Sequence, residues 1–219
     1  MSEEPRAIPQ SGRIDDEHLP TEVLLIRHGE SAAVVPDTPG SDDPPLSERG
    51  EAQAAAVAAR LATTSVDAVY SSDLARAAQT AAAIAAPHGL AVVERADVRE
   101  VHLGEWNEGG FRQRAAANDP DYLAFIAAGR WEVIPGAEAD SALRARMATA
   151  VTEVALAHPG GRAVVVCHGG SINAWLADRF GSERSMVVSI DNTSITRIRT
   201  DGTHWLIRTV NDVHHLTDG

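Results

Sequence analysis

Apolar residues in this chain fall into short unbroken runs that alternate with stretches of helical periodicity. Residues 22–26 are a β-branched and leucine-rich run ending in Arg27-His28-Gly29, the pattern of a buried strand entering a loop. After Pro44-Pro45, Ser47 stands where an N-cap belongs and Glu48 and Glu51 suit the positive helix end. An alanine-rich helix is therefore predicted to about Leu61, with Val57 and Leu61 facing inward. The same grammar recurs: a strand at 66–70, a cap at Ser71-Ser72, and a helix over 73–86 stopped by Pro87, with Arg76 in its first turn. A weaker strand is predicted at 91–94, mixed helix interrupted by Asp119-Pro120 over 112–134, and a long helix over 141–157. The apolar run 163–167 then leads into His168-Gly169-Gly170 and a helix through Phe180. Three β-rich pieces close the chain at 186–190, 194–199 and 204–210, the last two joined by an Asp201-Gly202 hairpin signal.

Alternating β and α units with continuous apolar strands predict an α/β fold, a mainly parallel sheet sandwiched between helices in three layers. Ligands in such sheets bind beyond the carboxyl ends of the strands, which is where His28, Arg76 and His168 fall. The irregular, glycine-punctuated stretch at about 104–140 is predicted to be a small cap insert over those ends, mobile and separate from the phosphate pocket. Its Trp106, Phe111, Tyr122, Phe125 and Trp131 suit either lid packing or a substrate wall.

Composition narrows the chemistry. A length of 219 residues with 44% hydrophobic content suits one core, so a single domain is expected over 21–219, preceded by a polar, flexible arm at 1–20. The net charge of -12 disfavours nucleic acid and anionic membrane as partners. The N-terminal residues lack the pattern of a leader, and no apolar run is long enough to span a bilayer, so a cytoplasmic protein is expected. Every basic residue is arginine, which removes lysine chemistry and any phosphate-loop lysine. Cys167, the single cysteine, ends a run of valines and reads as a core residue. His88, His102, His158 and His204 are scattered and His214-His215 lack the spacing of a zinc pair, so no metal is expected.

A phosphoryl group carries its charge on three oxygens, and without metal it needs fixed cations and an uncharged nucleophile. Neutral imidazole and planar arginine forks meet those needs. Leu25-Ile26-Arg27-His28-Gly29-Glu30-Ser31 resembles the signature of the histidine phosphatase superfamily, also called the phosphoglycerate-mutase-like family. Pro45-Leu46-Ser47-Glu48-Arg49-Gly50, Tyr70-Ser71-Ser72-Asp73-Leu74-Ala75-Arg76-Ala77, Glu100 with Gly104-Glu105-Trp106, and Cys167-His168-Gly169-Gly170 come in that family's order and cover roughly residues 22–215.

The resemblance implies that His28 is the nucleophile, that Arg27, Arg76 and His168 bind the phosphate, and that Glu100 protonates the leaving oxygen. The Gly169 amide adds a donor at the following helix start, as anion binding at helix N-termini would also suggest. A cation such as Arg76 in a first helical turn opposes the helix dipole, which an anionic ligand would explain. Specificity is expected in the cap and the 31–45 loop, with Ser31 at the substrate. The chain departs from many relatives at Val34, where they carry an asparagine that touches the phosphoryl group, and it lacks the arginine-bearing insert of the mutases. The expectation is a metal- and cofactor-independent phosphatase acting on a small phosphorylated substrate. A mutase of the same family and a catalytically silent phospho-ligand-binding domain stay as alternatives, and a homodimer is left open.

Overall fold

The computed structural model describes residues 20–34, 41–107 and 109–216. Residues 1–19, nearly all of the expected arm, and residues 35–40 of the proline-bearing loop lie outside that range. Six strands form one sheet: β1 (Thr21–Arg27), β2 (Ala68–Ser71), β3 (Val92–Glu94), β4 (Arg162–Cys167), β5 (Ile195–Thr200) and β6 (Trp205–Asp212), in the order β3-β2-β4-β1-β5-β6. The first four in that order pair in parallel; β5 runs antiparallel to β1, and β6 antiparallel to β5. The helices are α1 (Glu48–Leu61), α2 (Ala75–Ala85), α3 (Gly110–Ala117), α4 (Pro120–Ala128), α5 (Asp140–Ala157) and α6 (Gly169–Phe180).

The unbroken apolar character of β1 and β4 reflects helices covering both faces. Val23 and Leu25 of β1 and Val165 of β4 pack with Leu143, Met147 and Val151 of α5 and Ile172 and Trp175 of α6. Leu24, Ile26, Val164 and Val166, one residue out of phase, pack with Val57 and Leu61 of α1 and Ala81 and Ile84 of α2. The period-2 alternation of the strand thus divides its side chains between two cores, which is the predicted three-layer architecture. Cys167 belongs to the first core, and burial pushes its thiol up to about 12, so it behaves as a small apolar side chain.

Ser47 caps α1 as predicted, its Oγ accepting the Gly50 N–H at 3.0 Å. Two local expectations are corrected. Helix α2 begins at Ala75, not Asp73, and neither Ser71 nor Ser72 is its cap residue. Asp73 is instead held by the Arg99 guanidinium at 2.5 and 2.6 Å, and Leu74 is extended. The Ala75 N–H is satisfied from a distant loop, by both oxygens of Asp43 at 2.9 and 3.0 Å. The segment 186–190 is not a strand. Its backbone polar groups are met by the Asn173 side chain, which accepts from the Val187 and Val188 amides, each at 2.9 Å, and donates to the Val188 carbonyl at 3.0 Å. Side-chain partners thereby replace a ladder that propensity alone would favour.

The insert between β3 and α5 is clipped at its base by an isolated Leu103–Ala137 bridge and by a Glu105 N–H to Pro135 carbonyl bond of 3.0 Å. It holds α3 and α4, and Asp119 caps α4, with Pro120 in its first turn. Phe111, Tyr122, Phe125 and Trp131 form its inside, with Phe125 stacked on Trp131 at 4.9 Å and Phe111 edge-on to Phe125 at 5.6 Å. Among the described residues no helix is long and apolar enough to cross a membrane.

Candidate active site

Strands β2, β4 and β1 are adjacent and parallel, so their carboxyl ends bring Arg76, His168 and His28 to one place. His28 extends the β1–β4 pairing by one bond, its N–H donating to the Cys167 carbonyl at 3.0 Å. Its carbonyl accepts the Asn192 side-chain amide at 2.9 Å. The next amide, Gly29, donates to Thr80 Oγ1 at 3.1 Å, and Thr80 in turn donates to the Arg76 carbonyl at 2.7 Å. Helix α2 therefore pins the loop that carries His28. Glycine is needed here for close approach: a Cβ on Gly29 would sit 2.5 Å from the Gly50 carbonyl oxygen, and one on Gly50 2.0 Å from that of Glu30.

The imidazoles of His28 and His168 lie with ring centroids 4.9 Å apart, and both side chains are buried. His28 Nδ1 is 2.6 Å from the Gly29 carbonyl, which fixes the proton on Nδ1 and leaves Nε2 with its lone pair. Arg76 Nε donates to that Nε2 at 3.2 Å, and Arg76 Nη2 donates to His168 Nδ1 at 3.3 Å. His168 then carries its proton on Nε2, a buried atom with no hydrogen-bond partner among the described residues; Arg27 Nε is in the same position. Two orphaned donors beside an imidazole lone pair are what an anion with several acceptor oxygens would satisfy.

Burial, with the positive charges of Arg76 and Arg27 next in size, holds the His28 imidazole well below its usual range. Burial, then His28, Arg76 and Arg27, does the same to His168. Both rings therefore enter the fold uncharged, while the unfolded chain binds protons near pH 6.5. The sign of the linkage is that this contribution to stability is complete above about pH 6.5 and is lost as pH falls below it, by up to about 1.4 kcal/mol per histidine per pH unit. Urea midpoints should accordingly drop more steeply between pH 7 and 5 for the native chain than for His28→Gln. Parallel curves for the two proteins would show that the folded ring takes up its proton freely.

Glu100 lies after β3 and is held at the start of α6. Its Oε1 accepts the Val101 and Ser171 amides at 3.0 and 3.1 Å, and among the described residues its Oε2 accepts only the Gly170 amide, at 3.2 Å. A Cβ on Gly170 would fall 2.4 Å from Oε1, so the carboxylate and this helix start fit only with glycine there. The Arg146 guanidinium clamps the same loop, donating to the carbonyls of Asp97, Arg99 and Glu100 at 2.7–3.0 Å while paired with Glu138. The amides of Gly170 and Ser171 are thus committed to Glu100, and Gly169 is the first residue of α6 at the cavity wall.

Arg27, His28, Arg76, Glu100 and Gly169 line one cavity of about 890 Å³, together with Trp106, Phe111 and Trp131 of the insert. His168 sits behind its wall, fully buried. Ser31 is also buried and outside the lining residues; its Oγ accepts from Arg112 Nη2 at 2.8 Å, so it meets the cavity only through Arg112. The aromatic residues take both expected parts: Phe125 packs the inside of the insert, while Trp106 and Trp131 do so and also wall the cavity. Sequence reasoning missed Asp43, Thr80, Arg112, Arg146 and Asn192. All act across long sequence separations, and only Arg112, a cation in a first helical turn like Arg76, carried a local signal. Among the described residues no His, Cys, Asp or Glu side chains gather into a group that could hold a metal ion.

The family model of the histidine phosphatase superfamily (branch 1) matches residues 23–213, and the chain belongs to that superfamily. It is 37% identical over 216 residues to phosphoglycerate mutase-like protein 4 of Arabidopsis thaliana, a match covering 95% of this chain and 93% of the relative. It is 34% identical over 205 residues to the metal-independent phosphoserine phosphatase of the same plant, covering 90% and 84%. A mycobacterial glucosyl-3-phosphoglycerate phosphatase, solved in complex with VO3, superposes with a TM-score of 0.73 at 29% identity, covering 87% of this chain and 98% of that one.

Proposed function

We propose that this protein is a phosphatase that hydrolyses a small phosphate monoester through a phosphohistidine on His28. The observation that carries the proposal is the tautomer of His28: Nδ1 is tied to the Gly29 carbonyl, and Nε2 keeps its lone pair beside Arg76 and the cavity. Arg27, Arg76 and His168 Nε2 hold the phosphoryl oxygens, a bound phosphate taking over the Arg76 donors that rest on the two imidazoles. Nε2 attacks phosphorus, the bond to the leaving oxygen breaks, and Glu100 supplies that oxygen's proton. Oε2, with a single amide on it, is the oxygen free to carry the proton. Water then gives a proton back to Glu100 and attacks phosphorus as the P–N bond breaks, which restores neutral His28 and releases inorganic phosphate.

Relatives named as phosphatases on both the sequence and the structural side, one of them complexed with VO3, favour water as acceptor. The test is the fate of a labelled phosphoryl group with a panel of phosphomonoesters. Release as inorganic phosphate is expected, and transfer to a second substrate hydroxyl in preference to water would make the protein a mutase instead.

Glu100→Gln should slow alkyl phosphates about 10²–10⁴-fold and aryl phosphates far less, because protonation matters most for a basic leaving oxygen. Gly170→Ala should reproduce that selectivity in weaker form by displacing the Glu100 carboxylate. Equal losses across leaving groups in both variants would remove Glu100 as the acid.

A further inference from the structure

Five arginines line the cavity: Arg27, Arg76, Arg99, Arg112 and Arg146. Three are partnered by carboxylates, Arg76 by Asp43 at 3.6 Å, Arg99 by Asp73 and Arg146 by Glu138. Among the described residues no carboxylate pairs with Arg27 or Arg112. Arg27 belongs to the site already derived. Arg112 comes from elsewhere, from α3 of the insert, and its described contact is a neutral hydroxyl, Ser31 Oγ, so among the described residues no carboxylate is bonded to it.

Its placement is costly without a ligand. Arg112 is the third residue of α3, and no acidic residue stands in that first turn, so its charge opposes the helix dipole. Arg76 occupies the same unfavourable position at α2, also with no acidic residue in the first turn. The side chain is aimed by its neighbours. Phe111 locks the helix rotation by packing edge-on to Tyr122 and Phe125 at 5.5 and 5.6 Å. Gly109, just before the helix, lies so close to Val34 that a Cβ there would be 3.2 Å from the valine side chain. From that anchor Arg112 reaches Ser31, three residues beyond His28. Burial is the main cause that lowers the pKa of His28, Arg27 and Arg76, and the charge of Arg112 adds in the same direction at all three.

We infer that Arg112 is a phosphate-binding residue, a third arginine that the insert delivers to the phosphoryl group held by Arg27 and Arg76. This rests on the reading of the cavity as a phosphoryl site, and it places part of that site in the insert, against the expectation that cap and phosphate pocket are separate. Binding of the phosphoryl group would then hold the insert against the sheet domain through a charge-assisted bond, alongside the Ser31 contact.

The experiment uses the full chain and its Arg112→Ala, Arg112→Gln and Arg112→Lys variants. The readouts are inhibition of p-nitrophenyl phosphate hydrolysis by inorganic phosphate and orthovanadate, and the rise in melting temperature that each anion produces. The aryl substrate has no second anionic group, so any loss reports on the phosphoryl contact itself. Arg112→Ala and Arg112→Gln should weaken both anions about 10- to 100-fold and lower kcat/KM by a similar factor, with Arg112→Lys in between. The Gln variant keeps a donor for Ser31, so a fold that tolerates it but loses anion affinity separates charge from packing. Unchanged anion affinity in a folded variant, with losses confined to substrates bearing a second anionic group, would overturn the inference and leave the phosphatase reading standing. If the native chain itself ignored both anions, the phosphoryl site and this inference would fall together.

Discussion

His28→Ala should abolish turnover, by about 10⁴-fold or more, and with it the covalent intermediate. In the native chain, rapid quenching during hydrolysis of a labelled monoester should trap a phosphorylated protein that survives alkali and is lost in mild acid, as a phosphorus–nitrogen bond is. The geometry makes this a demand on one atom. Nδ1 of His28 is committed to the Gly29 carbonyl, so Nε2 must carry the label. His168 is kept from the same role by its own setting, with the Nδ1 lone pair under Arg76 and the proton on Nε2, so that it offers the phosphoryl group a donor rather than a nucleophile. His168→Ala should therefore turn over slowly yet still label on His28. A label mapping to His168, or near-normal turnover by His28→Ala, would end the proposal of a His28 nucleophile.

Arg76→Ala should lower kcat/KM by about 10³-fold with every substrate, because one guanidinium serves three partners. It contacts both imidazoles at 3.2 and 3.3 Å, and its donors are those a phosphoryl oxygen would take. Removing a single preorganised donor from a charge-stabilising site typically costs about 10²–10³-fold. The loss should come with a distinctive pH signature. Arg76 is among the charges that depress both histidines, so its removal lets their pKa values rise, and the acid limb of the rate profile should move to higher pH. Arg76→Lys keeps a charge without the planar fork, so it should hold the acid limb near its native position while recovering only part of the rate. A loss below tenfold, or an unmoved acid limb in Arg76→Ala, would show that Arg76 is structural.

The sheet and the two histidines were legible for a common reason. Strands buried on both faces must be continuous runs of apolar residues, so β1 and β4 announced themselves, and a residue placed directly after such a strand must lie at its carboxyl end. Ser47 was readable as a cap because its partner, Gly50, is only three residues away. Cues that depend on local competition misled. Serines before α2 resemble caps, but Asp43, 32 residues upstream, takes the Ala75 amide; β-branched residues at 186–190 resemble a strand, but Asn173 takes their backbone groups.

By itself the sequence determined the α/β alternation, because it depends on residue type and on neighbours within a few positions, and the motifs of the family resemblance named the imidazole, guanidinium and carboxylate candidates. Tertiary structure decided the rest. The order β2-β4-β1 is what makes three separate strand ends adjacent, and no periodicity encodes strand order. The tautomer of His28 depends on a carbonyl angle at Gly29, and the setting of Glu100 on the amides of Gly170 and Ser171, 70 and 71 residues away. Arg112 is the sharpest case: the sequence reading passed over it, and only the packing of Phe111 against the insert's aromatic residues and of Gly109 against Val34 turns that helix so that its arginine meets Ser31, three residues beyond His28. Charge type is written in the chain, whereas the direction in which a charge points is set by packing between segments that the chain keeps far apart.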